Sequence, residues 1–309
     1  MIAPPTVYDY TNPLNILVAL LILVIGVFGL SCNLSIVYIF IKQRTERTSF
    51  NCICLFRSLS NVCILSATFI LLFLPKTILG YSPYSPAVEN ALIHFANTLY
   101  MGNEYQIILV AINRFCSLYL PLYYPILCGQ IPTTIILIVI YSIRIYIFVR
   151  EVIDKTASQC FSSYSTESLM WGYSEEDRCK SDDDIFEVIT ATFITMSIIN
   201  LITLARIIYF YKSSHMGTRE SKKRIIKNTF LFIQTMLQDS LYLIDLTFMF
   251  KLSGLSTERY WTFISGTLVW ECVHSIDGFI MTLFNEKLSV IKHKLWTPSA
   301  SVTKVVAIA

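Results

Sequence analysis

Seven apolar stretches, each about long enough to cross a bilayer, fill most of the chain: 15–41, 50–74, 91–113, 131–149, 186–211, 225–250 and 261–284. A hydrocarbon core about 30 Å thick needs roughly 20 helical residues. Only 15% of residues are charged, and they fall in short segments between long apolar runs. A mean hydropathy of +0.59 is far from that of a soluble domain of this length. The expected fold is therefore all-α, an integral membrane bundle of seven transmembrane helices. It divides into an extracellular segment 1–14, the bundle 15–284, and an inner surface helix with tail 285–309. An odd number of crossings puts the two ends on opposite sides, as passing a signal across a membrane requires.

Orientation follows from Lys and Arg. With the N-terminus outside, the inner segments carry thirteen basic residues and the outer ones seven. That bias predicts N-terminus out and C-terminus in. Residues 1–10 hold no basic residue, and the first apolar run is too long for a signal-peptide core, so helix one is expected to start insertion itself. The sequon Asn33-Leu34-Ser35 lies inside helix one, so no N-linked sugar is expected.

Of nine cysteines, only Cys160 and Cys179 fall in the long outer loop. The outer face is oxidising, so these two are expected to pair. Closing a loop of that size is worth about 3 kcal/mol in the chain-entropy model. No cysteine stands at the outer start of helix three to tether that helix to the loop. The loop, 150–184, carries nine acidic residues against four basic ones. It reads either as a solvated connection or as a lid that repels anions and passes neutral or cationic solutes. The inner segment 212–224 is basic and suits anionic lipid headgroups, a partner, or both.

Arg114 ends the third stretch, in Ala111-Ile112-Asn113-Arg114-Phe115, with Pro121-Leu122-Tyr123 seven residues on. An Arg at the inner end of a span is ordinarily a snorkelling charge. This spacing, however, resembles the Asp-Arg-Tyr segment of rhodopsin-like G-protein-coupled receptors, with Asn113 for Asp and Phe115 for Tyr. Asn33 in helix one, Asn51 and Asn61 in helix two, and Asp277-Gly278 in helix seven fall in register with that family's landmarks. Helix five has no Pro, helix six no Trp-x-Pro, helix four no Trp, and Met281 replaces the last Tyr of the helix-seven motif. The runs Phe232–Tyr242 and Trp270–Gly278, with Asn113-Arg114-Phe115-Cys116 and the intraloop pair Cys160 and Cys179, resemble nematode serpentine receptors of class X.

The resemblance implies a chemosensory receptor at the plasma membrane, and in a sensory-neuron cilium. Its implied partners are a small-molecule ligand, a heterotrimeric G protein and membrane lipid, with no nucleic acid. Asn113, Arg114, Phe115 and Pro121 would couple to the G protein. Ala96 stands where amine receptors carry their Asp, which argues against ligand recognition of that kind.

Ionisable groups inside a membrane are expensive and functional by default. Those that stand out are Glu104, Arg144, Asp239, Asp245, Glu271 and Asp277, with His94 and His274. Helical rise puts Glu104 about 15 Å above Arg114 and Asp277 about 12 Å from the inner end. A buried network of Asn33, Asn61, Asn103 and Asp277, extended by Glu104, is expected; it resembles the sodium site of many such receptors, with Asn61 in place of the main carboxylate. Arg144 reads as a charge snorkelling to the outer headgroups, and Asp245 as a residue of the outer mouth. Depth and side-chain type nominate Tyr100, Met101, Glu104, Tyr242, Asp245, Trp270 and Glu271 as the ligand pocket.

Enzymatic readings find little support. Zinc hydrolysis needs several His ligands, and His94 and His274 stand singly. An intramembrane aspartyl protease needs Gly-x-Gly-Asp, which Ile276-Asp277-Gly278 does not supply. A retinal photoreceptor needs a helix-seven Lys, and 261–284 has none. A transporter would show inverted halves with broken helices. No catalytic residue, cofactor or metal is expected; the alternative is an uncoupled or peptide-binding seven-helix protein. Past Asn285, Leu288, Ile291, Leu295 and Trp296 form one apolar stripe, predicting an inner surface helix. An epitope at Met1 should be reachable on intact cells and one at Ala309 only after permeabilisation; the reverse would overturn the topology.

Overall fold

Proline and short polar side chains set where the helices begin. Asn12 accepts from the Leu14 amide at 3.0 Å with Pro13 in the first turn, opening α1 (Pro13–Lys42). Thr48 caps α2 (Ser49–Leu79) through the Asn51 amide. Ser85 and Pro86 open α3 (Pro86–Tyr119). A short turn, Tyr124–Leu127, leads into α4 (Gln130–Ser158). α5 is Ile185–Ser213. α6 runs over Arg219–Thr247 and continues as a π-turn, Phe248–Leu252. α7 joins Arg259–Phe263, the π-turn Ile264–Leu268 and Val269–Phe284. This computed structural model describes residues 12–43, 47–172, 179, 185–213 and 219–285. The proposed surface helix after Asn285 lies outside them.

Each helix overruns its apolar stretch, α4 by about two and a half turns, because backbone hydrogen bonding does not stop where hydrocarbon gives way to headgroups. Length and hydropathy alone mark four spans among the described residues: Pro13–Lys42, Ser49–Leu79, Tyr124–Ser158 and Thr190–Tyr209. Most buried polar side chains sit on the other three helices, α3, α6 and α7, which lowers their hydropathy. Within α2, Pro75 lacks an N–H, and the π-helical run Leu65–Phe73 just before it absorbs the broken ladder. The helix stops at Gly80, whose φ of 75° favours glycine.

Side chains from different helices lock the bundle. α3 runs through the middle, touching α2, α4, α5 and α6. α4 is mostly exposed and buries only Thr133 and Leu137 fully. Its anchor is Tyr141. The ring lies against Gly102, where an added Cβ would come within 2.8 Å of Tyr141 Cε1. The Tyr141 hydroxyl donates to Asn103 Oδ1 at 2.9 Å, accepts from Gln106 Nε2, and lies 2.6 Å from the Ser60 hydroxyl. A tyrosine thus docks α4 in a chain with no helix-four tryptophan. Small residues let α1 and α7 approach closely, a recurrent solution in lipid. At Gly278 a Cβ would meet Asn33 Nδ2 at 2.3 Å.

The outer loop is not simply a solvated connection. Cys160 and Cys179 are disulfide-bonded. Between them β1 (Ser163–Ser165) pairs antiparallel with β2 (Met170–Gly172), placing Tyr164 opposite Trp171. The hairpin sinks into the bundle: Tyr164 is fully buried, stacked on Phe73 at 4.3 Å between centroids. α3 supplies the missing tether with hydrogen bonds. Glu89 accepts from the Tyr164 amide at 2.7 Å, and Asn90 from the Ser162 amide at 2.8 Å. Arg259 of α7 clamps the turn by donating to the Thr166 and Glu167 carbonyls. The acidic residues 175–177 and 182–184 lie outside the described residues.

Gly102→Ala should overpack against Tyr141 and cost about 1–3 kcal/mol, read as a lower melting temperature of the purified protein. In a Tyr141→Ser background the same change should cost little; equal costs in both would show that the ring is not the obstacle.

Candidate functional site

A guanidinium is sealed in the middle of the bundle. Arg57 of α2 is 2% exposed, and its Nε donates to Asp277 Oδ2 of α7 at 3.0 Å. Asn61, one turn along α2, donates to the same oxygen at 2.8 Å, and Gln238 of α6 donates to Asp277 Oδ1 at 2.7 Å. The Arg57 guanidinium lies over the Tyr242 ring of α6, 4.8 Å from its centroid. The network spreads through Asn61, which donates to Asn33 at 3.2 Å and accepts from Asn103 at 3.1 Å; His274 Nδ1 lies 2.9 Å from Asn61 Oδ1. Asn33 Nδ2 in turn donates to the backbone carbonyls of Gly29 and His274. Five helices, α1, α2, α3, α6 and α7, thereby meet on one carboxylate and its neighbours.

Arg57 escaped the reading of the sequence, which singled out the acidic groups of the spans with Arg144, His94 and His274 and passed over this base. Two signals mark it. It stands four residues before Asn61, on the same face of α2, and about 11 Å into its helix from Phe50. Arg57 also answers the question of a sodium-like ion: both oxygens of Asp277 are engaged by protein donors, and the site holds its own positive charge. Among the described residues no group of three or more His, Cys, Asp or Glu is placed to hold a metal.

Several expectations need correction. Glu104 is not part of this network; its electrostatic neighbours are Asp245, Tyr100 and Arg144, toward the outer half. Arg144 does not snorkel outward but lines an outer cavity. Asp245 is not at a wet mouth: it is 3% exposed and lines the same cavity. His94 does not stand singly, lying 3.3 Å from Glu151 and 3.2 Å from the Ser162 hydroxyl.

That cavity, about 330 Å³, lies between α3, α4, α6, α7 and the hairpin. Tyr100, Met101, Asp245 and Trp270 line it, as does Trp171 of the hairpin. Tyr242 sits beneath, its ring 5.5 Å from that of Tyr100, and forms no part of the lining. Glu271 faces elsewhere. It is fully buried on the α1–α2 side, against Gly26 and Ile70, and both its carboxylate oxygens lack a hydrogen-bond partner among the described residues. A larger groove, about 630 Å³, separates α5 from α6, with Asp239 accepting from Asn200 at 3.2 Å on its wall.

At the inner end Arg114 is 7% exposed rather than snorkelling, its guanidinium 4.9 Å from the Phe50 ring centroid. Its Nε and Nη2 have no hydrogen-bond partner among the described residues. It borders a cavity of about 160 Å³ with Thr203 and Ile207 of α5 and Leu231 and Phe232 of α6. Asn113 does not salt-bridge Arg114, having no charge; it accepts from Tyr124 at 3.3 Å and donates to Ser49 at 3.3 Å, tying α3 to the inner loop and α2. Phe115 stacks on Tyr119, 4.6 Å between centroids, and Pro121 is exposed in the turn below.

Residues 23–285 match the family described as serpentine type 7TM GPCR chemoreceptor Srx. The chain belongs to this family. It is similar to serpentine receptor class X 45 of Caenorhabditis elegans, with 25% identity over 305 residues that cover 89% of this chain and 80% of that protein. This is accordingly a multi-pass membrane protein of a chemoreceptor family.

Removing one partner of a buried ion pair costs about 3–5 kcal/mol, whereas replacing both by apolar residues is often near neutral. Arg57→Met should therefore lower the melting temperature of the solubilised receptor by on the order of 10 °C. Arg57→Met combined with Asp277→Leu should recover most of that loss; an equally unstable double variant would mean the pair is not the source.

Proposed function

We propose that the chain is a plasma-membrane chemosensory receptor that binds a small molecule in the outer cavity and activates a heterotrimeric G protein through its inner face. The observation that carries this reading is Arg114: a permanently charged side chain with two nitrogens that have no hydrogen-bond partner among the described residues, bordering an inner cavity between α3, α5 and α6. A guanidinium offers five donors in a fixed fork, suited to carbonyl groups of an inserted partner segment. On this reading Asn113, Phe115 and Pro121 shape the same surface. Placement in a sensory cilium belongs to the reading as well.

The mechanism is a population shift. In the arrangement described, Gln238 and Tyr242 hold α6 inward on Asp277 and Arg57. Tyr100 joins this lock to the ligand cavity: it lines the cavity and packs on Tyr242, which packs on Arg57. A second route runs from Trp270 to His274, 6.2 Å between ring centroids, and on to Asn61. A ligand that fits better when Tyr100 and Trp270 shift favours the state in which α6 releases. On its other side α6 faces a groove toward α5, bridged by the hydrogen bond from Asn200 to Asp239. An uncoupled or peptide-binding scaffold would use the outer cavity without any role for Arg114.

The test is a ligand screen with a G-protein readout in a host cell. Arg114→Ala should keep surface delivery and ligand binding while signalling falls by at least tenfold. Normal signalling by the variant, to a ligand that activates the parent, would remove Arg114 from the mechanism.

A further inference from the structure

We propose that the outer cavity takes a small organic cation, a protonated aralkyl or alkyl amine, with Asp245 as the counter-ion. This deepens the receptor reading and rests on it only for the location of the ligand.

Four observations point the same way. Asp245 lines the cavity at 3% exposure, and no ion pair engages it among the described residues. Its close polar neighbour is a neutral phenol, that of Tyr100. The guanidinium in the lining, that of Arg144, forms no ion pair with Asp245 among the described residues. The walls are aromatic: Tyr100, Trp171, Trp270 and Phe250 all contribute. Ring faces attract a cation, the more strongly when water is excluded, and the cavity volume suits a ligand of roughly 10 to 15 non-hydrogen atoms.

Charge around the mouth agrees. Glu151 lines the cavity's outer part, 42% exposed in its side chain. A carboxylate there raises the local concentration of cations and lowers that of anions. Ala96 is fully buried and gives α3 no carboxylate at its level. The absence of an acid there therefore does not exclude an amine; α6 supplies the carboxylate instead of α3.

The experiment uses one skeleton in three charge states: 3-phenylpropylamine, 3-phenyl-1-propanol and 3-phenylpropionate, with the N-methylated amines as a size series. Thermal shift of the full-length receptor in nanodiscs reads binding. The amines should raise the melting temperature saturably, and the alcohol and carboxylate should not. Asp245→Asn should weaken amine binding by on the order of 10- to 100-fold while leaving the ligand-free melting temperature equal or higher, since a buried acid without an ion-pair partner is replaced by a neutral amide of the same shape. Trp270→Phe should weaken the amines less than Asp245→Asn does. Binding by the carboxylate in preference to the amine, by no amine in the series, or equally by the parent and Asp245→Asn would each overturn the proposal. Selective binding of the alcohol or carboxylate, lost in Trp270→Ala, would overturn the cation while leaving the receptor reading intact. Asp245-dependent amine binding without any G-protein response would support the cation and count against the receptor reading.

Discussion

Hydrocarbon gives no solvation to a charge, and this bundle keeps one of each sign at its centre. An Arg or Asp at mid-helix carries an insertion cost of about 2.5–3.5 kcal/mol, so Arg57 and Asp277 are tolerable only as a pair with further donors. They have them: Asn61 and Gln238 complete the carboxylate, and the Tyr242 ring covers the guanidinium. Because these partners come from three helices, the position of each helix is conditional on the others. Gly278 belongs to the same arrangement, since a side chain there would push α7 away from Asn33, next to Asp277. A metal-dependent version of this site would loosen whenever the ion left. A covalently attached cation cannot leave, so the lock opens only if α6 or α7 moves.

The outer half is organised on a different principle. There the hairpin between Cys160 and Cys179 is held by neutral or charge-assisted hydrogen bonds to α3 and α7, and its aromatic residues complete the apolar core. Tyr164 fills the space over Phe73, and Trp171 reaches Trp270, 5.6 Å between ring centroids. The tether to α3 passes through Glu89, which also pairs with Lys76 of α2 at 2.6 Å. Helix three is thus linked to the hairpin by two side chains, Glu89 and Asn90, accepting backbone amides. The hairpin is part of the cavity wall and not merely a cover above it.

The bundle was legible in the sequence because hydropathy reports where a helix must lie in lipid. Pairing of Cys160 with Cys179 was legible because no other outer cysteine competes. Side-chain partnerships were harder, for a physical reason. Helical spacing places residues on a face of their own helix but does not say which neighbour that face meets. Glu104 and Asn103 are adjacent, yet they point to different environments, one toward Asp245 and the other toward Asn61. Depth alone could not separate them. Tyr242 and Glu271 had suitable depth for a pocket, but rotation about the helix axis turned one under the cavity floor and the other toward α1. Arg57 was hidden by its own apolar surroundings, although a helix-seven carboxylate in lipid calls for a cation at similar depth.

Glu271 shows how the same constraint acts where the described residues supply no hydrogen-bond partner. A buried carboxyl group with both oxygens unsatisfied is costly as an anion, and the apolar seam of Gly26 and Ile70 provides neither donor nor charge. Asp277 differs in every respect that matters: three side-chain donors, a guanidinium among them, converge on it. Two acids on one helix, six residues apart, therefore have opposite roles in the energetics of α7. Asp277 fastens the helix to α2 and α6 by charge, while Glu271 adds little attraction to the α1 seam. α7 is held by charge at the level of Asp277, and above it by the hydrogen bonds of Ser275 to the Ile25 carbonyl, of Thr267 to the Leu169 carbonyl and of Arg259 to the hairpin turn.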